Sequence, residues 1–164
     1  MSKARIKSTA LPAVAALALL LAAQAAFAAE PTRESYTASV EPICKASTES
    51  SDRILKGVKG EVKAGKLKPA AAQFAKAATA LKGTLNKLRA VPQPPADKAK
   101  LTKWLGYIKE EVQLFEQTAA KLKAGNKTGA QEMAVRLTYT VNRANNEVLA
   151  FEFDSCHADP SKFT

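Results

Sequence analysis

Histidine and cysteine, on which many active sites depend, are scarce in this chain. Its 164 residues include one histidine and two cysteines. A single histidine cannot supply the paired Glu-x-x-His elements of a di-iron bundle, and the chain has no Cys-x-x-Cys-His motif for covalent attachment of c-type haem. A thiol–disulfide catalyst would use a close Cys-x-x-Cys pair, which is also absent. These scarcities exclude several cofactor-dependent functions of helical proteins.

The motifs of common hydrolases and nucleotide-binding proteins are missing as well. The chain contains no serine nucleophile motif and no glycine-rich phosphate loop. Glu110, Glu111 and Glu116 come nearest to an acid–base group, but their positions predict the exposed flank of a helix. Carboxylates on such a flank form solvated salt bridges, so we expect a non-enzymatic protein with no cofactor.

The first 28 residues have the features of a signal peptide. A basic segment contains Lys3, Arg5 and Lys7, and an apolar stretch follows at 11–23. A small-x-small cleavage pattern then lies at Ala26-Phe27-Ala28. A retained membrane anchor is the alternative, but the stretch is alanine-rich and shorter than the ~20 strongly apolar residues that span a bilayer. We expect cleavage after Ala28, release to the envelope or the extracellular space, and one mature domain at 29–164.

Four segments of the mature chain show helical periodicity, and no strand pattern competes with them. They are predicted at 36–64, at 69–90, from Asp97 to Gly125-Asn126, and from Thr128 to Phe151. Hydrophobic residues at alternating steps of three and four indicate helices packed at shallow angles, and short links make sequential helices antiparallel. The predicted fold is therefore all-α, an antiparallel up-down-up-down four-helix bundle closed by one disulfide.

Polar residues at the predicted helix ends suggest particular caps. Asp97 is placed to cap the third helix, and Thr128 with Gln131 forms a plausible capping box for the fourth. The segment Gly65-Lys66-Leu67-Lys68 is predicted to end the first helix.

Cys44 and Cys156 are predicted to form that disulfide, because exported thiols usually oxidise. Cys44 lies early in the first helix and Cys156 just beyond the fourth, and an up-down bundle brings these positions to the same end. His157 follows Cys156, so a metal site with Cys44 as a third ligand and a pair of free thiols are the alternatives.

The chain is basic, with a formal net charge of +10 that falls to +7 once Lys3, Arg5 and Lys7 are removed. Lysines surround the first and third turns, at Lys59, Lys63, Lys66 and Lys68 and at Lys121, Lys123 and Lys127. Acidic residues gather at the opposite end, at Glu30, Glu34, Glu41, Glu147, Glu152, Asp154 and Asp159. The lysine-rich pole could attract anionic lipid, a wall polymer or an envelope protein, or it could complement the carboxyl ends of the helices. Nucleic acid is not expected, because aromatic residues do not interleave with these lysines.

A ligand between the helices is a second possibility. Trp104 and Tyr107 could edge a ligand groove or could cover the core. Non-covalent haem would need axial ligands, for which Met133, His157, Tyr107 and Tyr139 are the candidates, and they form no obvious pair.

Several stretches of the mature chain, together with the signal peptide, resemble a group of small secreted helical proteins of actinobacteria. They are Glu41-Pro42-Ile43-Cys44-Lys45-Ala46, Arg53-Ile54-Leu55-Lys56-Gly57-Val58, Val91-Pro92-Gln93-Pro94-Pro95, Lys103-Trp104-Leu105 and Asn145-Asn146 with Cys156. The resemblance implies export and a cysteine pair but supplies no catalytic residue or ligand. We therefore expect an exported, non-enzymatic binding or interaction protein, with a carrier of an apolar small molecule or haem as the alternative.

Overall fold

Helices make up most of the described part of the chain. The computed structural model describes residues 30–163, so the predicted signal peptide at 1–28 lies outside the described residues. The helices are α1 (Arg33–Ile54), α2 (Val58–Lys63), α3 (Leu67–Ala90), α4 (Lys98–Lys123) and α5 (Lys127–Glu147). No strand occurs among residues 30–163. The all-α class is confirmed, and none of the described helices has the length and hydrophobicity needed to cross a membrane.

The first predicted helix is in fact two helices. α1 ends at Ile54, Gly57 adopts a left-handed conformation with φ of 81°, and α2 continues the chain for six residues. Glycine has no Cβ and adopts this conformation without the steric penalty that other residues meet. The prediction of one continuous helix over 36–64 was therefore wrong, but its predicted end was right, because α2 ends at Lys63 with Ala64 as its cap and Gly65 at φ of 71°. α3 begins at Leu67, two residues before the predicted Pro69.

Both predicted caps also differ from the structure. The side chain of Asn126, and not that of Thr128, caps α5 by accepting a hydrogen bond from the backbone N–H of Gly129 at 2.7 Å. Asp97 occupies the cap position of α4 but makes no capping hydrogen bond. Its carboxylate instead accepts two hydrogen bonds from Arg33, at 2.7 and 3.0 Å, which join the start of α1 to the start of α4.

From α2 onwards each helix packs against the next one in the chain, whereas α1 packs on α3. α3 packs against α1, α2 and α4, and α4 packs against α5. The buried side chains form two clusters along the helices. One, the disulfide cluster, includes Tyr36, Val40, Cys44, Leu88, Trp104 and Phe153. The other, the Phe74 cluster, includes Phe74, Phe115, Leu122, Met133 and Leu137. Leu81 of α3 contacts both clusters.

A tail at 152–161 follows α5 and runs back along α1. Its first backbone N–H groups, those of Asp154 and Ser155, donate to the Glu41 carboxylate at 2.8 and 2.9 Å. Cys156 is then joined to Cys44 by the predicted disulfide, with the two Cα atoms 4.9 Å apart.

The tail is held from α5 as well as from α1. Asn145 of α5 exchanges two hydrogen bonds with the backbone of Ala158, at 2.8 and 3.2 Å. Further along, Lys59 of α2 donates to the carbonyl of Ser161 at 2.9 Å. The chain beyond α5 therefore lies between the first and last helices and is held by both.

Candidate binding sites between the helices

The seven predicted lysines are all exposed, and three of them border a single groove. Lys59 and Lys63 of α2 and Lys127 at the start of α5 line a groove of about 340 Å³. Its walls are mainly apolar, formed by Leu55, Val58, Val62, Phe74, Leu122, Ala130 and Ala134. We call this the lysine groove. Lys66, Lys68, Lys121 and Lys123 do not line it.

A second space lies beneath the tail, between α1, α3 and α4. This space, which we call the inner cavity, has a volume of about 490 Å³ and is open to solvent on the side of the exposed residues Thr48, Asp52 and Lys59. It is lined by Ser47, Thr48, Ser51, Asp52, Leu55, Val58, Lys59, Leu81, Glu111, Phe115, Ala158 and Asp159. The cavity arises from the sequence of α1, because residues 47–52 are small or polar and none carries a large apolar side chain. Without such side chains the interface between α1 and α4 is left partly unfilled.

Glu111 of α4 faces this cavity. Its side chain is buried, with 7% of the residue exposed, so the prediction that it lies on an exposed flank was wrong. Burial, and then the neighbouring charge of Glu110, raises the pKa of the Glu111 carboxyl to about 8. Among the hydrogen bonds and ion pairs found for residues 30–163, none reaches this carboxyl. Glu116 is exposed and Glu110 is half-buried.

The sequence does contain a signal for the burial of Glu111. Besides the hydrophobic residues from which α4 was predicted, a second row also advances by alternating steps of four and three. It runs through Trp104, Ile108, Glu111, Phe115, Thr118 and Leu122. All six are buried. Glu111 therefore lies on an inward row that is apolar immediately before and after it, and a wider reading of the helix face would have placed it inside.

Trp104 and Tyr107 have different surroundings, and Trp104 lines only a small space of about 70 Å³ beside the disulfide. Trp104 is 2% exposed and packs on Phe153 of the tail, with the ring centroids 5.6 Å apart. The guanidinium of Arg143 lies 4.5 Å from the centroid of the Tyr107 ring and donates to its hydroxyl at 3.0 Å. Trp104 therefore covers the core, which is one of the two roles predicted for it.

The residues considered for metal and haem binding are dispersed. Both cysteine sulfurs are consumed in the disulfide, and His157 packs edge-on against Phe153 with centroids 6.4 Å apart. Met133 belongs to the Phe74 cluster, whereas Tyr139 is 68% exposed. Within residues 30–163, no cluster of three or more His, Cys, Asp or Glu side chains is arranged to hold a metal ion.

Comparisons with protein-family models, with curated proteins and with solved structures found no match to this chain. The resemblance to small secreted helical proteins of actinobacteria therefore stays a prediction. The two spaces between the helices and the charges around them are the observations that bear on function.

The acidic residues are less segregated than their positions in the sequence indicated. Asp159 was expected at the end opposite the lysines, yet it lines the inner cavity together with Lys59. The cause is the tail, which carries Asp159 back along α1 past Cys44. Glu41 and Asp154, in contrast, remain together beside the disulfide.

Proposed function

We propose that this protein is an exported, non-enzymatic binding protein that takes an anionic lipid at its lysine groove. The observation that supports this best is the position of Lys63 and Lys127, which come from different turns and border the same apolar groove. An apolar channel with ammonium groups at its edge matches a molecule that has a hydrocarbon chain and a negative head group. The proposed export rests on the signal-like segment at 1–28 and is consistent with the disulfide.

Lipid is favoured over a soluble polyanion because of the groove walls. A wall polymer or nucleic acid would need only exposed positive charge, and it would leave the half-buried apolar side chains of Leu55, Val62 and Ala134 uncovered. An acyl chain would cover them, and burial of apolar surface contributes roughly 25 cal/mol per Å². The up-down helix order that we infer is consistent with this site, because it places the first and third turns at one end of the bundle.

Vesicle binding with charge-reversed variants tests the role of the lysines. We expect the protein to sediment with phosphatidylglycerol vesicles and not with phosphatidylcholine vesicles. Each lysine near an anionic surface contributes ~1 kcal/mol, so Lys63→Glu with Lys127→Glu should weaken binding at least tenfold, or roughly 1.4 kcal/mol. Lys45→Glu with Lys109→Glu, which changes the net charge equally at exposed sites outside the groove, should weaken it much less. Equal losses for the two double variants would contradict a localised site.

Filling the groove tests whether the chain of the lipid enters it. Ala134 is half-buried and lines the groove, so Ala134→Phe should occupy part of the space while leaving every lysine in place. We expect this variant to lose binding of a soluble fluorescent fatty acid but to keep its weak, salt-sensitive adsorption to anionic vesicles. If fatty acid binding is unchanged, the groove is not the site and the lysines act only as surface charge.

A further inference from the structure

The inner cavity contains a feature that the lysine groove does not explain. Glu111 is a carboxyl inside an otherwise apolar row of α4, and charged residues are almost never fully buried unless they are paired. Burial of a polar group without a partner is costly. Strongly perturbed carboxyls that face a cleft are typical of binding and catalytic sites. Glu111 has both features of such a carboxyl, because it is buried and it faces a cavity of about 490 Å³.

The other residues around the cavity indicate which chemistry would suit it. Hydroxyl groups of Ser47, Thr48 and Ser51 line the α1 side. The ring of Phe115 and the side chain of Leu81 line the opposite side. The cavity therefore combines hydrogen-bond acceptors, an aromatic ring and apolar walls around one buried carboxyl.

The charges around the cavity are mainly negative. Asp52 of α1 and Asp159 of the tail line it together with Glu111, whereas Lys59 of α2 is the one cation among its described lining residues. Glu110 lies next to Glu111 on α4, and no ionisable residue of α3 or α5 lines the cavity. Asp52, Lys59 and Asp159 all have interaction partners of their own. An anionic ligand would therefore have to approach the side chains of Asp52 and Asp159 and would keep Glu111 neutral, whereas a cation could pair with an ionised Glu111.

We propose that the inner cavity binds a small organic cation, an ammonium group carried on a hydrocarbon body, and that Glu111 is its counter-ion. The ammonium donates hydrogen bonds to the Glu111 carboxylate and to the serine hydroxyls of α1. The hydrocarbon body packs against Leu81 and Phe115, and the aromatic ring adds a cation–π contribution. The cavity volume lies within the range of known small-molecule sites. This site adjoins the lysine groove, with which it shares Leu55, Val58 and Lys59, but it does not depend on the function proposed for that groove.

Binding of such a cation is coupled to one proton. In the empty cavity Glu111 is protonated at neutral pH, because its pKa is raised to about 8. When an ammonium ion enters, the carboxyl loses its proton to solvent and the resulting carboxylate pairs with the cation. Affinity should therefore rise as the pH approaches 8, where less work is needed to remove that proton.

Calorimetric titration with three matched probes tests the proposal. The full chain is produced in an oxidising compartment and titrated at pH 7.5 with n-hexylamine, n-hexanol and hexanoate. In the Lys63→Glu, Lys127→Glu background, which removes the lysine groove as a second site for hexanoate, we expect hexylamine to bind at least about tenfold more tightly than the other two, which corresponds to ~1.4 kcal/mol. Titration in two buffers of different ionisation enthalpy should show release of about 0.8 proton per amine, which is the fraction of Glu111 that carries a proton at pH 7.5 when its pKa is about 8. Equal binding of hexanol would overturn the proposal, because Glu111 would then act as a neutral hydrogen-bonding group.

Two neighbouring variants localise the effect. Glu111→Gln keeps the size of the side chain but removes the charge, and it should abolish both the preference for hexylamine and the release of the proton. Glu110→Gln, one residue away and only half-buried, is the matched control and should retain both. Unchanged hexylamine binding by a folded Glu111→Gln protein would overturn the assignment. Lys63→Glu with Lys127→Glu should leave hexylamine binding intact, which separates this site from the lysine groove.

Discussion

Two buried carboxylic acids of this protein, Asp97 and Glu111, show how a single residue's surroundings determine its charge. Both are at most 7% exposed. Arg33 donates two hydrogen bonds to Asp97 and lowers the pKa of that carboxyl. Glu111 has no such partner, and burial raises its pKa to about 8. Asp97 therefore stays ionised and links two helices, whereas Glu111 is neutral until the pH rises or a cation enters.

The pH dependence of stability should reveal Glu111. An exposed glutamate in the unfolded chain ionises near pH 4.5, while the folded carboxyl ionises near 8. Between these values the folded state binds more protons, so stability falls as the pH rises, and the loss levels off above pH 8. Relative to Glu111→Gln, the wild-type free energy of unfolding should fall by on the order of 3 kcal/mol between pH 5 and 8, since one pKa unit corresponds to about 1.4 kcal/mol. Urea unfolding followed by circular dichroism measures this difference.

The control for that measurement is Glu110→Gln. Glu110 resides on the same helix but is half-buried. Glu110→Gln keeps the Glu111 carboxyl, so its free energy of unfolding should fall with pH as that of the wild type does. If the wild-type and Glu111→Gln curves run parallel, the carboxyl ionises normally in the folded protein.

At the scale of elements, the break between α1 and α2 redirects the chain near the lysine groove. Gly57 has φ of 81°, and a Cβ at this position would meet no atom within 4 Å. The need for glycine here is therefore conformational and not a matter of space. Because Val58, Lys59, Val62 and Lys63 of α2 all line the lysine groove, the turn at Gly57 positions one side of that site.

Two alanine substitutions separate backbone strain from helix propensity. Gly57→Ala should destabilise the protein by about 1–2 kcal/mol, because a left-handed conformation is unfavourable for a residue with a Cβ. Gly60 lies inside α2 and also has open space around a built Cβ. Gly60→Ala should therefore stabilise by up to ~1 kcal/mol, since alanine is the better helix former. Thermal or urea unfolding of the two variants measures both effects, and changes of the same sign would contradict this account.

At the scale of the whole molecule, the tail determines how the first and last helices are joined. α1 packs mainly on α3, and the tail bonds to α1 through Glu41 and Cys44 and to α5 through Asn145. Phe151 and Phe153 are buried on the same side. The disulfide spans 112 residues and so links nearly the whole described chain.

Removing the disulfide should destabilise the protein and loosen the tail before the helices. In the chain-entropy model a loop of ~110 residues contributes about 4–5 kcal/mol, although measured values are often smaller. Cys44→Ser with Cys156→Ser should lower the free energy of unfolding by up to this amount. In hydrogen exchange, the amides of Asp154 and Ser155 should lose protection while those of α3 and α4 keep theirs. Unchanged protection in the tail would mean that Glu41 and the buried phenylalanines suffice to hold it.

The features that the sequence predicted correctly depend on local patterns. Steps of three and four along α4, and the breakers at Val91-Pro92-Gln93-Pro94-Pro95 and Gly125, are sufficient to recognise helices and their approximate limits. The pairing of Cys44 with Cys156 followed because the chain has no other cysteine. The helix caps were harder to predict, because Asn126 and Thr128 are both acceptable capping residues and the exact start of α5 decides which of them caps it.

The sequence by itself determined the helical class, the four long helices and the disulfide, because each depends on residue spacing or on a count. Only the tertiary structure decided how wide the buried face of α4 is, where the tail runs and which lysines border one groove. The predicted row through Leu105 and Val112 is buried, and the row that contains Glu111 is buried beside it because α1, α3 and the tail pack around it. The candidate sites are spaces between elements, and a space depends on side chains from several helices at once.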